Sequence, residues 1–180
     1  MLALTRDQES RLIEESKVNP TAFSSLYEHY LPKVYRFAYY RTGTCYEAED
    51  VVAQTFLQAI EGLARYEDRG FSLGCWLYKI ASNIIRTRQQ SRSREVHCFE
   101  TASAADWDTK IELLPEQMFL QEALHTLPDT QQQVLVLRYV QDLSINEVAR
   151  ILGRSEGAVK QLAFRGLQTM RERMNCLEKQ

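Results

Sequence analysis

Glu156, Lys160, Gln161, Phe164 and Arg165, with Ser155 just before them, combine side chains that suit the edges of duplex DNA. Arginine and lysine reach guanine edges or phosphates, and glutamine suits adenine. Their spacing puts them on the outward side of a helix whose other side carries Val159, Leu162, Ala163, Gly166, Leu167, Met170 and Met174. A shorter helix must brace it. Ser144-Ile-Asn-Glu147 has capping-box form, and Ile145, Val148, Ala149 and Leu152 follow on one face. Gly153 stands where a tight turn needs positive φ, and Ser155 can cap the second helix. This is helix-turn-helix grammar, which puts the start of the second helix in the major groove. An αα-hairpin inside a helical bundle would obey the same rules.

A second basic group precedes it. Residues 86–94 hold Arg86, Arg88, Arg92 and Arg94 and no acid, and Lys79, Asn83 and Arg86 share one helix face. Residues 95–122 are acidic, with seven carboxylates against Lys110, and residues 136–174 are basic again. The net charge of -2 hides this alternation. It fits two basic surfaces for nucleic acid separated by an acidic segment, and it also fits solvated helix faces.

Chemistry of other kinds finds no support. Cys45, Cys75, Cys98 and Cys176 form no CxxC pair, and His29, His97 and His125 are scattered, so neither a metal site nor a Cys/His nucleophile is expected. No P-loop, GxGxxG, GxSxG or HExxH occurs. The reading is a non-enzyme without cofactor, with a redox input through the cysteines left open. A 44% hydrophobic, 26% charged composition over 180 residues fits one ordinary domain or two small ones. No apolar run approaches the ~20 residues of a membrane span, and charges interrupt the N-terminus where a signal peptide would be apolar. A soluble, cytoplasmic protein without membrane insertion is expected.

The elements that position these residues read as helices throughout. Thr5-Arg-Asp-Gln8 caps a short polar helix to about Lys17, and Asn19-Pro20 opens the next. That one carries Phe23, Leu26, Tyr27, Tyr30, Val34, Phe37 and Ala38, is expected to break or kink at Pro32, and stops at Gly43. Thr44-Cys-Tyr-Glu47 caps a third, with Ala48, Val51, Val52, Thr55, Phe56, Ala59, Ile60 and Leu63 on its apolar side. Residues 67–74 read as a loop, and Trp76, Leu77, Ile80, Ala81, Ile84 and Ile85 mark a fourth helix. Periodicity is lost over 89–114, a linker at least partly disordered, and resumes at Pro115. Leu127-Pro128 ends the next helix, and Asp129-Thr-Gln-Gln132 is expected to cap the one after.

These motifs carry a family resemblance. The stretch from Ala123 through Leu-Pro, Val-Leu-Arg-Tyr and Leu-Ser-Ile-Asn-Glu-Val-Ala-Arg-Ile-Leu-Gly to Met174 closely resembles region 4 of the extracytoplasmic-function (ECF) RNA polymerase sigma factors. Ala22–Tyr30, Glu47–Leu57, and Phe71 with Trp76–Asn83 resemble parts of region 2, in family order. The resemblance implies an all-α chain of two small helical domains: region 2 over 1–88, an acidic linker over 89–114, and region 4 over 115–180. It implies no catalysis. Arg69, Phe71, Ser72, Trp76, Lys79, Asn83 and Arg86 would melt and read the -10 element, with Trp76 weighted toward supporting the pocket. Ser155, Glu156, Lys160, Gln161, Phe164 and Arg165 would read the -35 duplex. Asp50, Val51, Gln54 and Gln58 would meet core polymerase at the β′ clamp helices, with Val51, Val52, Phe56 and Ile60 largely in the core of region 2. The implied partners are core RNA polymerase, through the β′ clamp helices and the β flap, promoter DNA and an anti-sigma factor. Two departures bear on promoter choice: the family usually has Gly where Asp142 stands, and often Ser-Arg where Gln161-Leu162 stands. The competing reading is a conventional helix-turn-helix regulator that binds duplex DNA without polymerase.

Overall fold

The structure is a computed structural model that describes residues 4–94 and 115–177. Every element among them is helical. The N-terminal bundle holds α1 (Arg6–Val18), a 3-10 turn (Pro20–Ala22), α2 (Phe23–Thr42), α3 (Cys45–Leu63) and α4 (Leu73–Arg94). The C-terminal bundle holds α5 (Pro115–His125), α6 (Asp129–Leu135), a π turn (Val136–Val140), α7 (Ile145–Leu152) and α8 (Glu156–Leu177). The expected linker falls mostly on residues outside those described; α4 itself reaches Arg94.

Most helix ends form where the capping residues stand. Thr5 with Gln8 and Ser144 with Glu147 make reciprocal capping boxes, and the Thr44 hydroxyl accepts from the Glu47 N–H. α7 ends at Gly153, whose φ of 62° is left-handed, so the turn to α8 needs a residue without a Cβ penalty. Two expectations need correction. α2 does not break at Pro32 but runs on through it. The ring lies on the exposed side and removes one backbone hydrogen bond, while Tyr30, Val34, Phe37 and Ala38 stay buried on the other; packing outweighs the break. Asp129 is the first residue of α6 rather than its cap, and its carboxylate is engaged elsewhere.

Leu26, Val34, Phe37, Ala48, Val51, Ala59, Leu73, Leu77 and Ala81 are wholly buried where α2, α3 and α4 meet. Edge-to-face contacts of Phe56 with Phe23 and Tyr27 add to that core. Val134, Val136, Leu137, Val148 and Val159 are wholly buried in the C-terminal bundle and belong to the same apolar cluster. Ile60 is the exception to the expected stripe, being 53% exposed. Val52, Thr55, Phe56, Ala59 and Leu63 already fill the inward width of α3, and Ile60 falls beyond its edge beside exposed Leu57.

The two bundles pack against one another. Arg41 of α2, only 2% exposed, donates to the Asp129 carboxylate at 2.6 Å, the Gln132 side-chain carbonyl at 2.6 Å and the Asp129 backbone carbonyl at 3.1 Å. Gln132 donates in return to the Tyr40 carbonyl. Tyr39 donates to Gln121, which donates to the Gly43 carbonyl, and Tyr78 donates to Gln141.

Candidate nucleic-acid interface

Two surfaces collect the expected DNA-contacting residues. The first lies where α3 hands over to α4. Arg69, Phe71 and Ser72 sit on the connecting loop; Trp76, Lys79, Asn83 and Arg86 follow on α4. Lys79, Asn83 and Arg86 are all exposed, and Arg86 donates to the Asn83 side-chain amide oxygen. The Trp76 ring packs on Tyr66 at 4.8 Å, and a Cβ on Gly62 would lie 3.1 Å from it, so Trp76 forms a wall rather than a free platform. A cleft of about 530 Å³ opens here, with Tyr66, Phe71 and Trp76 as aromatic lining and Arg65, Arg69 and Lys79 around it. Aromatic faces with flanking cations are what an unpaired nucleotide strand needs, since every base has a π-face and every link a phosphate. Arg69 is paired with exposed Glu67, a surface contact that competes weakly with a phosphate.

Region-spanning contacts cover part of this cleft. Arg150 of α7 places its guanidinium 4.2 Å over the Phe71 ring, and Arg150 and Ile151 complete the lining. Cys75, buried at the same seam, donates its thiol proton to Glu147 at 3.6 Å. Burial pushes that thiol up to about 11, with Ser72 opposing and Glu147 adding to the rise, so at neutral pH it is a poor nucleophile. Cys45 is exposed, and the side chains of Cys98 and Cys176 lie outside those described.

The second surface is α8. Lys160, Gln161, Phe164 and Arg165 are exposed, Phe164 to 70%, and they border a shallow depression together with Gln168. Gln168, four residues beyond Phe164, was legible from helical spacing yet lies outside the expected set. Ser155 and Glu156 are partly committed: the Ser155 hydroxyl caps α8 by accepting from the Ala158 N–H, and Glu156 accepts from Asn146 of α7. Of the two, the Asn146–Glu156 contact joins α7 to α8. The turn before α7 carries Asp142 at φ 53°, a left-handed conformation that favours glycine and tolerates aspartate.

The third set is the outward face of α3. Asp50, Gln54 and Gln58 are exposed, whereas Val51 is wholly buried. Val51 was expected both in the core and at the partner face; its burial bears out the first and corrects the second, since a wholly buried side chain offers a partner no surface. Tyr46, Leu57 and Ile60, each at least half exposed, are the large apolar side chains that α3 leaves at its surface. Asp50 is bridged by Arg88 at 3.3 Å, tying the α3 face to α4. No cluster able to hold a metal ion occurs among the described residues.

Comparison with known proteins adds to this geometry. The sigma-70 region 2 family matches residues 26–95, and sigma-70, region 4 matches residues 123–172. The chain is 35% identical over 170 residues to the ECF RNA polymerase sigma factor BldN of Streptomyces coelicolor, covering 88% of this chain and 63% of BldN. It is 30% identical over 163 residues to the ECF RNA polymerase sigma factor SigD of Mycobacterium tuberculosis, covering 84% of this chain and 76% of SigD. Among solved structures it resembles the sigma factor RpoE of Bartonella quintana, crystallised with the anti-sigma factor NepR, with a TM-score of 0.71 at 25% identity over 85% of this chain and 96% of that one.

Proposed function

The chain belongs to the extracytoplasmic-function (ECF) RNA polymerase sigma factors, and from that premise we propose that it binds core polymerase and directs it to a two-part promoter. The observation that carries the proposal is the presence of both surfaces in one chain, an exposed recognition helix on α8 and an aromatic, cationic cleft at the start of α4.

The division of labour follows from chemistry. α8 enters the major groove of the -35 duplex, where Lys160 and Arg165 reach guanine edges or phosphates and Phe164 meets a thymine methyl. The loop with Phe71 takes unpaired -10 bases, and Lys79 and Arg86 follow the backbone. Asp50, Gln54 and Gln58, with Leu57 and Ile60, dock on the β′ clamp helices, and region 4 meets the β flap. Neither DNA module binds strongly alone; joining them makes the second contact intramolecular. The segment between α4 and α5 acts as the tether. Because α7 covers Phe71, -10 reading requires region 4 to leave this position, which polymerase binding drives. An anti-sigma factor, the kind of partner bound in the Bartonella structure, would act by opposing that step. Among the described residues no helix is long and apolar enough to cross a membrane, in keeping with action in the cytoplasm.

Run-off transcription with core enzyme tests this. A defined start that depends on both core and the chain is expected. Equally tight, specific duplex binding without core would instead support a conventional regulator.

A further inference from the structure

α1 stands outside the stretch that matches region 2, which begins at residue 26. Yet it holds an unusual group, the carboxylate of Glu9, only 4% exposed. A carboxylate is buried at large penalty unless its oxygens are satisfied. Here both are. One oxygen accepts from the Leu73 N–H at 2.9 Å and from the Tyr30 hydroxyl; the other accepts from Arg6 at 2.8 Å. Leu73 is the first residue of α4, so Glu9 caps from a distance the helix that carries Trp76, Lys79 and Asn83. A Cβ on Gly74 would come within 2.9 Å of the Tyr30 ring, so glycine there lets Tyr30 approach.

The same helical turn grips the loop at a second point. Arg6 pairs with Asp68, whose other oxygen accepts from the Ser10 hydroxyl at 3.0 Å, and Asp68 also accepts from the Gly70 N–H at 2.9 Å. Arg6, Glu9 and Ser10, spaced by three and four, therefore hold Asp68 and Leu73 from one face of α1. Arg69, Phe71 and Ser72 lie between these two anchors. Arg69 and Gly70 are exposed, so side-chain burial does not fix their course.

We propose that α1 is a clamp that preorganises the 67–72 loop for the unpaired -10 strand, with Glu9 and Asp68 as its positioning residues. This rests on the -10 reading given above. A loop already held in its binding conformation loses less entropy when the strand arrives. Glu9 touches no DNA; it acts through the Leu73 N–H and the course of the loop.

The test uses the full chain assembled with core polymerase and a fluorescent single strand carrying the non-template -10 sequence. Glu9→Ala should weaken strand affinity about tenfold, and Glu9→Gln, whose amide oxygen still accepts, should recover to within about threefold of wild type. Asp68→Ala should lose about threefold. Core affinity and binding of a -35 duplex should stay unchanged in all three. Phe71→Ala is the reference: if it loses affinity while folded Glu9→Ala does not, the clamp is refuted and the -10 reading stands. If Phe71→Ala also binds normally, the -10 reading falls and the clamp with it. Should Glu9→Ala fail to fold, Asp68→Ala on the exposed loop decides, and normal affinity there overturns the proposal.

Discussion

Two neighbours close on the loop that carries Phe71, α1 from one side and region 4 from the other, and each packs against the rest of the N-terminal bundle around one buried charge, Glu9 for α1 and Arg41 of α2 for region 4. On the α1 side, Glu9 has both oxygens occupied. On the region 4 side, the Arg41 guanidinium meets Asp129 and Gln132, yet its Nε has no hydrogen-bond partner, and Gln141 Nε2 at the same seam has none either. An unsatisfied buried donor costs about 1–3 kcal/mol. The first seam is complete and the second is not. On the proposed reading the -10 surface must be both held in shape and uncovered; the satisfied contacts of α1 fit the first demand and the less complete seam with region 4 fits the second.

The sharpest way to break this contrast is to remove the partners of Arg41. Breaking a buried ion pair costs about 3–5 kcal/mol, reduced here because Asp129 is half exposed, so Asp129→Ala with Gln132→Ala should weaken the seam by about 2–3 kcal/mol. Alkylation followed by mass spectrometry reads the outcome. Cys75 should become reactive in the variant, while exposed Cys45 reacts in both proteins and serves as the internal standard. Unchanged protection of Cys75 would mean that apolar packing, not Arg41, holds the bundles together.

The surface proposed for the -35 duplex is already exposed. Lys160→Ala or Arg165→Ala should weaken promoter binding by about 1–3 kcal/mol if the side chain makes a good base contact, while opening of a template with a premelted -10 region stays nearly unchanged. Equal loss on both templates would indicate misfolding. Arg150 offers a smaller, opposite effect. Its contact with Phe71 is worth about 0.5–1 kcal/mol, so Arg150→Ala should raise Cys75 reactivity slightly without reducing transcription. A marked loss of transcription would give Arg150 a role in the open complex.

Mild acid should loosen the same seam. His125 lies below its usual value because of burial first and nearby Arg41 second, with Glu47 pulling it back up. A histidine with a lowered value contributes its stability when neutral, and that contribution fades as pH falls below the ordinary 6.5. Arg41, Arg88, Glu47 and Asp129 all face the same cavity, and protonation adds a third cation to it. Cys75 exposure, followed by proteolysis to avoid the pH dependence of alkylation, should rise between pH 7.5 and 5.5, and His125→Gln should flatten that rise.

Helix ends, inward stripes and the outward residues of α8 were legible in the sequence, because capping and the 3.6-residue period are local. Pro32, Ile60 and Asp129 were misread where packing decides: a proline survives inside a well-buried helix, and the inward width of α3 leaves Ile60 outside, while Val51, expected both in the core and at the partner face, goes to the core. Glu9 and Arg41 gave no sign of their role. Each reads as an ordinary surface charge until the fold brings a partner 64 or 88 residues away. Asp142 shows the reverse, since its departure from the usual family glycine made sense only once its left-handed φ was seen.

Permanganate footprinting of unpaired thymines in the -10 region, with core binding measured in parallel, tests the central claim most directly. Holoenzyme with the wild-type chain should give strong reactivity, and Phe71→Ala should reduce it about tenfold or more with core affinity intact, as expected for loss of an aromatic stacking contact of about 1–3 kcal/mol. A footprint unchanged by Phe71→Ala, or one lost only together with core binding, would contradict the assignment of this cleft to the -10 strand.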